Sequence, residues 1–202
     1  SAEAKLEIPC IALLTWIFFG VVHGERLSPE DVVANGVFFL AAGHETTANF
    51  LSNFTVQIAS IPGLFESLKN DRSLLKPALE ETLRLESPVQ NICRTVKEEV
   101  LIDETVIHED DRMMFSLGAG NRDPEVFENP EDFDLSRGNL NQHLAFGYGH
   151  HHCLGARLAR LEGEIYANIL LDRFDKIELA EGYKRQPGNV MRGYKSLNIK
   201  CS

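Results

Sequence analysis

The sequence is short of positive charge and of cysteine. Lys and Arg number 20 against 30 Asp and Glu, which gives a formal net charge of −10 at pH 7. This negative balance argues against a nucleic acid or an anionic membrane surface as a partner, because both would repel the chain. The four cysteines, Cys10, Cys93, Cys153 and Cys201, are too widely separated to form a disulfide framework, which favours a reducing compartment and hence the cytoplasm.

A long apolar run is also missing. The longest, residues 8–22 (IPCIALLTWIFFGVV), is shorter than the about 20 apolar residues of a membrane-spanning helix. It has neither the basic flank nor the cleavage site of a signal peptide, so we predict a core helix here. With 202 residues and 44% hydrophobic content, the chain is sized for one domain over residues 1–202.

Helix and strand signals predict a mainly helical α+β fold. Ser28 as N-cap, Pro29 at the first helical position and acidic residues in the first turn open a helix with no stop before Pro62. So long a helix should run through the core. Shorter helices are predicted at 64–70 and 77–85, β-strands at 100–102, 105–107 and 113–115, and an ordered meander at 121–141.

The most informative segment runs from Phe146 to Gly155 (FGYGHHHCLG). It presents one cysteine on a glycine-rich turn, followed by a helix with apolar residues at 154, 158, 161, 165, 169 and 170, the period of an amphipathic helix. Cys153 is therefore predicted at a helix N-terminus, where unpaired N–H groups and the helix dipole favour a thiolate. Gly147 and Gly149 can adopt backbone angles closed to other residues, and Gly155 lets the helix start lie close against a flat group.

Two other interpretations of this segment remain. The first is a buried structural cysteine, the usual fate of a lone cysteine. The second is a zinc site, since His150, His151 and His152 precede Cys153 and His143 is near. Zinc ligands, however, usually come as spaced pairs that converge on a tetrahedron, and four adjacent residues cannot all point inward.

The segment resembles the haem-binding loop of the cytochrome P-450 monooxygenases, whose pattern Phe-Gly-x-Gly-x-His-x-Cys-x-Gly is met at every fixed position. The resemblance implies that Cys153 is the axial thiolate ligand of the iron in haem b. It also implies that Arg94, His143 and His151 bind haem propionates. Further cofactor contacts are implied for Phe146, Gly147, Gly149, Gly155 and Ala42.

A second motif lies inside the long helix, at residues 41–47 (AAGHETT). Mid-helix glycine costs about 1 kcal/mol relative to alanine, and threonines compete for backbone carbonyls, so the local sequence is unfavourable and suggests a site. An exposed stretch of helix is the plainer interpretation. The motif resembles the family's distal-helix signature, which implies that Glu45 delivers protons and that Thr46 hydrogen-bonds the oxygen activated at the haem. Phe38, Val89 and Ile92 would then line the substrate pocket.

Glu81 and Arg84 stand three apart on one predicted helical face. Alone, such a pair is usually a solvated ion pair. In this order along the chain it resembles the family's Glu-x-x-Arg signature, and Arg137 resembles the third member of a buried structural network that fixes the meander.

The resemblance runs from about Leu27 to the C-terminus, and family members are usually about twice as long as this chain. We therefore expect an N-terminally truncated, haem-binding half of a monooxygenase that inserts one atom of dioxygen into a small apolar organic substrate. Electrons would come from NAD(P)H through a ferredoxin or flavodoxin and its reductase, with Arg157 and Arg160 as a docking patch. The alternative is a non-catalytic haem-binding fragment that lacks the lid of the substrate pocket.

Overall fold

The computed structural model describes residues 21–22 and 25–202. The chain divides into two compact units, with the boundary between Glu45 and Thr46. In the first unit, β1 (Val21–Val22) pairs antiparallel with β2 (Glu25–Arg26), and α1 (Pro29–Ser60) begins three residues after β2. The predicted core helix over residues 8–22 lies outside the described residues, except that Val21 and Val22 form a strand instead.

The start of α1 is the one predicted from the sequence. The backbone N–H of Asp31 donates to Ser28 Oγ over 3.1 Å, so Ser28 acts as the N-cap and Pro29 occupies the first helical position, where a missing N–H costs nothing. The helix ends at Ser60, two residues before Pro62, as the sequence also predicted.

The expectation that α1 runs through the core is right for only part of its length. In the second unit, Phe50, Phe54 and Ile58 on α1 are at most 2% exposed. In the first unit, Val33 and Leu40 on the same helix are 64% and 72% exposed. Helix-start signals and apolar content therefore predicted the helix, but they did not distinguish its buried part from its exposed part.

The second unit is built around helices. Its core is formed by the end of α1 and by α2 (Leu64–Asn70), α3 (Leu75–Leu85) and α5 (Ala156–Arg173). α2 has the predicted bounds. α3 starts two residues earlier than predicted, because Asp71 accepts the N–H of Ser73 and caps a 3-10 turn that leads directly into the helix. Pro77 is tolerated in the first turn, where its missing N–H is not needed.

The strands form small antiparallel pairs, as the alternation of short β-rich runs and turns predicted. Within the second unit, β3 pairs with β6, β4 with β5, β7 with β10 and β8 with β9. A short helix, α4 (Leu117–Gly120), follows β6. Residues 121–139 contain neither helix nor strand, in agreement with the predicted meander. The strands span Asn91–Thr95 (β3), Val100–Ile102 (β4), Thr105–Ile107 (β5), Arg112–Ser116 (β6), Ile177–Leu179 (β7), Lys184–Arg185 (β8), Tyr194–Ser196 (β9) and Ile199–Cys201 (β10).

Helix α5 has two apolar sides, and most of the predicted apolar residues lie on the exposed one. The side packed against the core carries small residues together with Leu170 and Leu171. The exposed side carries the aliphatic stripe, which we define as Leu158, Leu161, Ile165 and Ile169, each 44% to 52% exposed. A periodic pattern locates a helix face but does not say what covers it. None of the helices in the described ranges is long and apolar enough to cross a bilayer.

Gly163 permits the close contact between α5 and the core. A Cβ at this position would lie 2.7 Å from Phe50 Cε1 and 3.4 Å from Leu79 Cδ2, and both of these side chains are at most 2% exposed. Because neither can move into solvent, the glycine sets how closely the helices approach.

We predict that Gly163→Ala destabilises the fold despite the higher helix propensity of alanine. Overpacking costs about 1–3 kcal/mol, and the gain in propensity is about 1 kcal/mol. The net loss, about 1 kcal/mol in the free energy of unfolding, is measured by urea denaturation. Gly36→Ala is the matched control, because Gly36 lies within α1 and a Cβ there meets nothing within 4 Å. A stabilised Gly163→Ala variant would contradict the packing argument.

Candidate functional site

The cysteine loop, residues 146–155, has the backbone that its glycines predict. Gly147 and Gly149 both have φ of 71°, the left-handed region that other residues rarely adopt. A 3-10 turn over Gly149–His151 follows, and the backbone N–H of Cys153 donates to Phe146 O over 2.8 Å, which closes the loop. Helix α5 begins only at Ala156, so Cys153 lies just before the helix rather than in its first turn.

The thiol of Cys153 faces outward. The residue is exposed, and so are the neighbouring apolar side chains of Tyr148 and Leu154, at 87% and 85%. A Cβ at Gly155 would lie 3.9 Å from Cys153 Sγ, so the glycine leaves that side of the sulfur open. A soft sulfur ligand next to exposed apolar side chains is suited to an iron carried by a flat cofactor, and the loop therefore fits haem. The structural-cysteine interpretation does not fit, since the side chain is not buried.

The zinc interpretation finds no support in the part of the chain that the structure describes, where no three His, Cys, Asp or Glu side chains converge to hold a metal ion. His150, His151 and His152 are all exposed. Of these, His151 stays a predicted propionate ligand.

Behind the loop lies a cluster around a buried carboxylate that the sequence did not reveal. Glu80 on α3 accepts hydrogen bonds from Arg160 Nε at 2.6 Å and Arg160 Nη2 at 2.9 Å. Its Oε2 also lies 2.9 Å from His143 Nε2. The guanidinium of Arg160 lies over the ring of Phe146, 4.5 Å from its centre. Glu80, Arg160, His143 and Phe146 thus form one connected group, which we call the Glu80 cluster.

The Glu80 cluster corrects two expectations. The ring of His143 is 2% exposed, and its Nδ1 accepts the N–H of Ala145 while its Nε2 contacts Glu80. Both ring nitrogens are therefore engaged within the protein, and the residue does not fit a propionate ligand. Arg160 is engaged by Glu80 and Phe146, which removes it from the predicted docking patch. Arg157 is exposed and remains there.

The cluster holds Glu80 in its charged form. Burial alone would raise the pKa of this carboxyl, but the hydrogen bonds from His143 and Arg160 and the charge of Arg160 outweigh it and lower the pKa to about 2. Because His143 Nδ1 accepts a backbone N–H, its proton is on Nε2 and points at the carboxylate.

The predicted Glu-x-x-Arg pair is a buried ion pair. Arg84 donates to both oxygens of Glu81, over 2.7 and 2.8 Å, and both side chains are 0% exposed. Arg137 donates to Glu81 Oε1 over 3.0 Å with 5% of its side chain exposed. The structure thus brings the three residues together.

The remaining donors of Arg84 hold the meander. Its guanidinium donates to the backbone oxygens of Asn121, Pro130 and Asp132 over 2.7 to 3.0 Å. Asn121 continues the connection, since its side-chain oxygen accepts the N–H of Leu144 over 2.6 Å, immediately before the cysteine loop. The sequence placed Asn121 in the meander without identifying this contact.

A third buried carboxylate, Glu86, was also missed. Arg192 binds it through two hydrogen bonds of 2.7 and 2.9 Å, and Arg185 lies 2.7 Å away. Burial would raise the pKa of Glu86, but the hydrogen bonds that these arginines donate and their positive charges lower it. No local pattern could have indicated the site, because the partners lie about a hundred residues away in the sequence.

The other predicted residues fall on both units. In the first, Phe38, Ala42 and Glu45 lie on exposed positions of α1. In the second, Thr46 is half-buried on α1, and Arg94 is exposed on β3 and donates to Cys93 O. The predicted pocket residues Val89 and Ile92 are half-buried, and Val89 forms an isolated β-bridge with Met191, which the sequence did not indicate.

Comparison with known proteins identifies the family. The family model for cytochrome P-450 matches residues 15–192. The chain is 41% identical over 192 residues to cytochrome P-450 107B1 of Saccharopolyspora erythraea, covering 93% of this chain and 47% of that protein. It is 36% identical over 202 residues to a steroid C26-monooxygenase of Mycobacterium tuberculosis, covering 98% and 54%.

Comparison with solved structures gives the same family. The structure of CYP108D1 from Novosphingobium aromaticivorans matches all of this chain and 49% of its own, with a TM-score of 0.89 and 37% identity. The chain belongs to the cytochrome P-450 family, and it spans about half the length of the relatives it matches.

We predict that Glu81→Gln lowers the free energy of unfolding by about 3–5 kcal/mol, the usual cost of removing one partner from a buried ion pair. The amide would keep one acceptor but leave two arginines uncompensated. Asp172→Asn is the control, since Asp172 pairs with Arg72 and is 70% exposed, and such a pair contributes less than about 1 kcal/mol. Urea denaturation measures both; equal losses would contradict the assignment.

The low pKa of Glu80 predicts that the free energy of unfolding depends on pH. Because the folded-state pKa of about 2 lies below the ordinary value of 4.5, this group adds stability that is present above about pH 4.5 and is lost as the pH falls through 2. The difference in unfolding free energy between wild type and Glu80→Gln should therefore shrink by about 2–3 kcal/mol from pH 6 to pH 2. Denaturation curves at each pH measure it, and a pH-independent difference would contradict the expected pKa.

Proposed function

We propose that the protein is a haem-thiolate monooxygenase in which Cys153 ligates the iron of haem b. The observation that carries the proposal is the exposed thiol of Cys153 on a closed loop, next to the open side left by Gly155. Membership of the cytochrome P-450 family supports it. When bound, haem supplies the activation of dioxygen, and a thiolate ligand donates electron density that favours O–O cleavage.

The chain's own residues take the following roles in this proposal. Gly147, Gly149 and Gly155 give the loop its shape and let the cofactor approach. Arg94 and His151, both exposed donors, bind the propionates. For α1, the family resemblance implies that Glu45 would deliver protons, that Thr46 would donate a hydrogen bond to the oxygen that haem activates, and that Ala42 would leave room for the cofactor.

The substrate is proposed to be a small apolar organic molecule. In the second unit, the half-buried Val89 and Ile92 would supply apolar side chains for its pocket, and the family resemblance alone implies the same role for Phe38. A relative of similar sequence is named a steroid C26-monooxygenase. Electrons come from NAD(P)H through a ferredoxin or flavodoxin and its reductase in the cytoplasm. Of the predicted docking patch, Arg157 is the exposed cation on an otherwise acidic chain.

A second candidate is haem binding without turnover. The exposure of Cys153 and of Phe38 favours it, because a monooxygenase needs a dry, closed pocket. NADPH-dependent product formation with a surrogate ferredoxin and reductase separates the two candidates: product supports turnover, whereas haem binding without product supports the second.

The test of the proposed function concerns the axial ligand. The reduced, haem-loaded protein with carbon monoxide should show the far red-shifted Soret band of thiolate-ligated haem, and Cys153→Ser should lose that band completely. Absorption spectroscopy measures both.

Cys201→Ser is the control, since Cys201 is also an exposed cysteine and lies on β10. The band should be unchanged in this variant. A wild-type band typical of imidazole ligation would instead assign the iron to a histidine of the loop, and would overturn the proposal.

A further inference from the structure

We propose that Glu80 is a positioning residue that fixes the cysteine loop from behind, so that Cys153 presents its sulfur in one geometry. The inference rests on the proposed function for its consequence at the haem, but the structural claim concerns only this chain. Glu80 stands next to Glu81 in sequence, and the two carboxylates serve different segments. Glu81 holds Arg84 and the meander, whereas Glu80 holds the loop and the start of α5.

The first step of the connection runs from Glu80 to Arg160. Two hydrogen bonds, both under 3 Å, fix the plane of the guanidinium, and the carboxylate is 11% exposed. A bidentate pair of this kind sets orientation as well as charge. Since Glu80 belongs to the packed helix α3 and Arg160 to α5, the pair also fixes one helix against the other.

The second step runs from Arg160 to the loop. The oriented guanidinium lies over the ring of Phe146, 4.5 Å from its centre, a cation–π contact that holds the first residue of the loop. Phe146 O in turn accepts the backbone N–H of Cys153 over 2.8 Å. The fixed ring and the hydrogen bond together define where the Cys153 backbone lies.

The third step holds the segment just before the loop. His143 is held against Glu80, and its Nδ1 accepts the N–H of Ala145, the residue before Phe146. One carboxylate therefore fixes the chain both before the loop, through His143, and after it, through Arg160. Such a supporting layer is what a ligand needs in order to keep a single productive orientation.

The experiment compares amide hydrogen exchange, followed by mass spectrometry, in wild type, Glu80→Gln and Arg160→Lys. Glutamine keeps the volume but loses the charge, and lysine keeps the charge but loses the planar fork. In both variants, peptides from residues 144–155 should exchange about tenfold faster, while peptides from α2 and the centre of α3 stay within about twofold of wild type. Asp172→Asn, which breaks an exposed ion pair on α5, should leave the loop unchanged.

A second readout is made on the haem-loaded chain. In Glu80→Gln and Arg160→Lys, at least about half of the thiolate-type carbon monoxide band should shift to shorter wavelength, with haem content unchanged. Unchanged loop exchange in both variants, or equal acceleration throughout the core, would overturn the positioning role. If wild type shows no thiolate band but loop exchange still responds, the proposed function fails and the positioning role stands.

Discussion

The rest of the second unit depends on the buried ion pair between Glu81 and Arg84. Two fully buried opposite charges are costly to desolvate, and they are tolerated only when their hydrogen-bonding capacity is filled. Here the surplus donors of Arg84 are filled by three backbone carbonyls of a segment without helix or strand. A region with no hydrogen-bond ladder of its own is thus held by arginine side chains, since Arg137, the other partner of Glu81, also donates to the backbone oxygens of Asn129 and Asp132. The meander leads directly to the cysteine loop, so the order of the loop begins at this ion pair.

Local signals predicted much of the fold. The cap at Ser28, the bounds of α2 and the β-rich runs at 100–107 all follow from short-range chemistry, in which the residues that decide the structure are a few positions apart. The backbone of the cysteine loop was likewise readable from Gly147 and Gly149, because positive φ is a property of the residue itself.

Contacts between distant segments could not be predicted in the same way. Glu80 and Arg160 are eighty residues apart, and nothing in either local sequence distinguishes a buried pair from two solvated charges. For the same reason His143 was assigned to the cofactor and Arg160 to a partner protein. Histidine can bind a propionate and arginine can bind a partner protein, and only the position of Glu80 shows that both side chains are engaged within the chain instead. The prediction that all of α1 is buried failed for the same reason, since the exposure of a side chain depends on which other segments pack against the helix.

Helix α5 connects the cysteine loop with the exposed aliphatic stripe. The helix starts three residues after Cys153, and its far side exposes the stripe from Leu158 to Ile169. Any polypeptide that removes this stripe from water stabilises the helical state of α5 by mass action. Since Arg160 lies on the same helix and its guanidinium contacts the ring of Phe146, that stabilisation would extend to the cysteine loop. In the proposed function, covering the stripe and binding haem at the loop would therefore favour each other, although they involve different faces of the same helix.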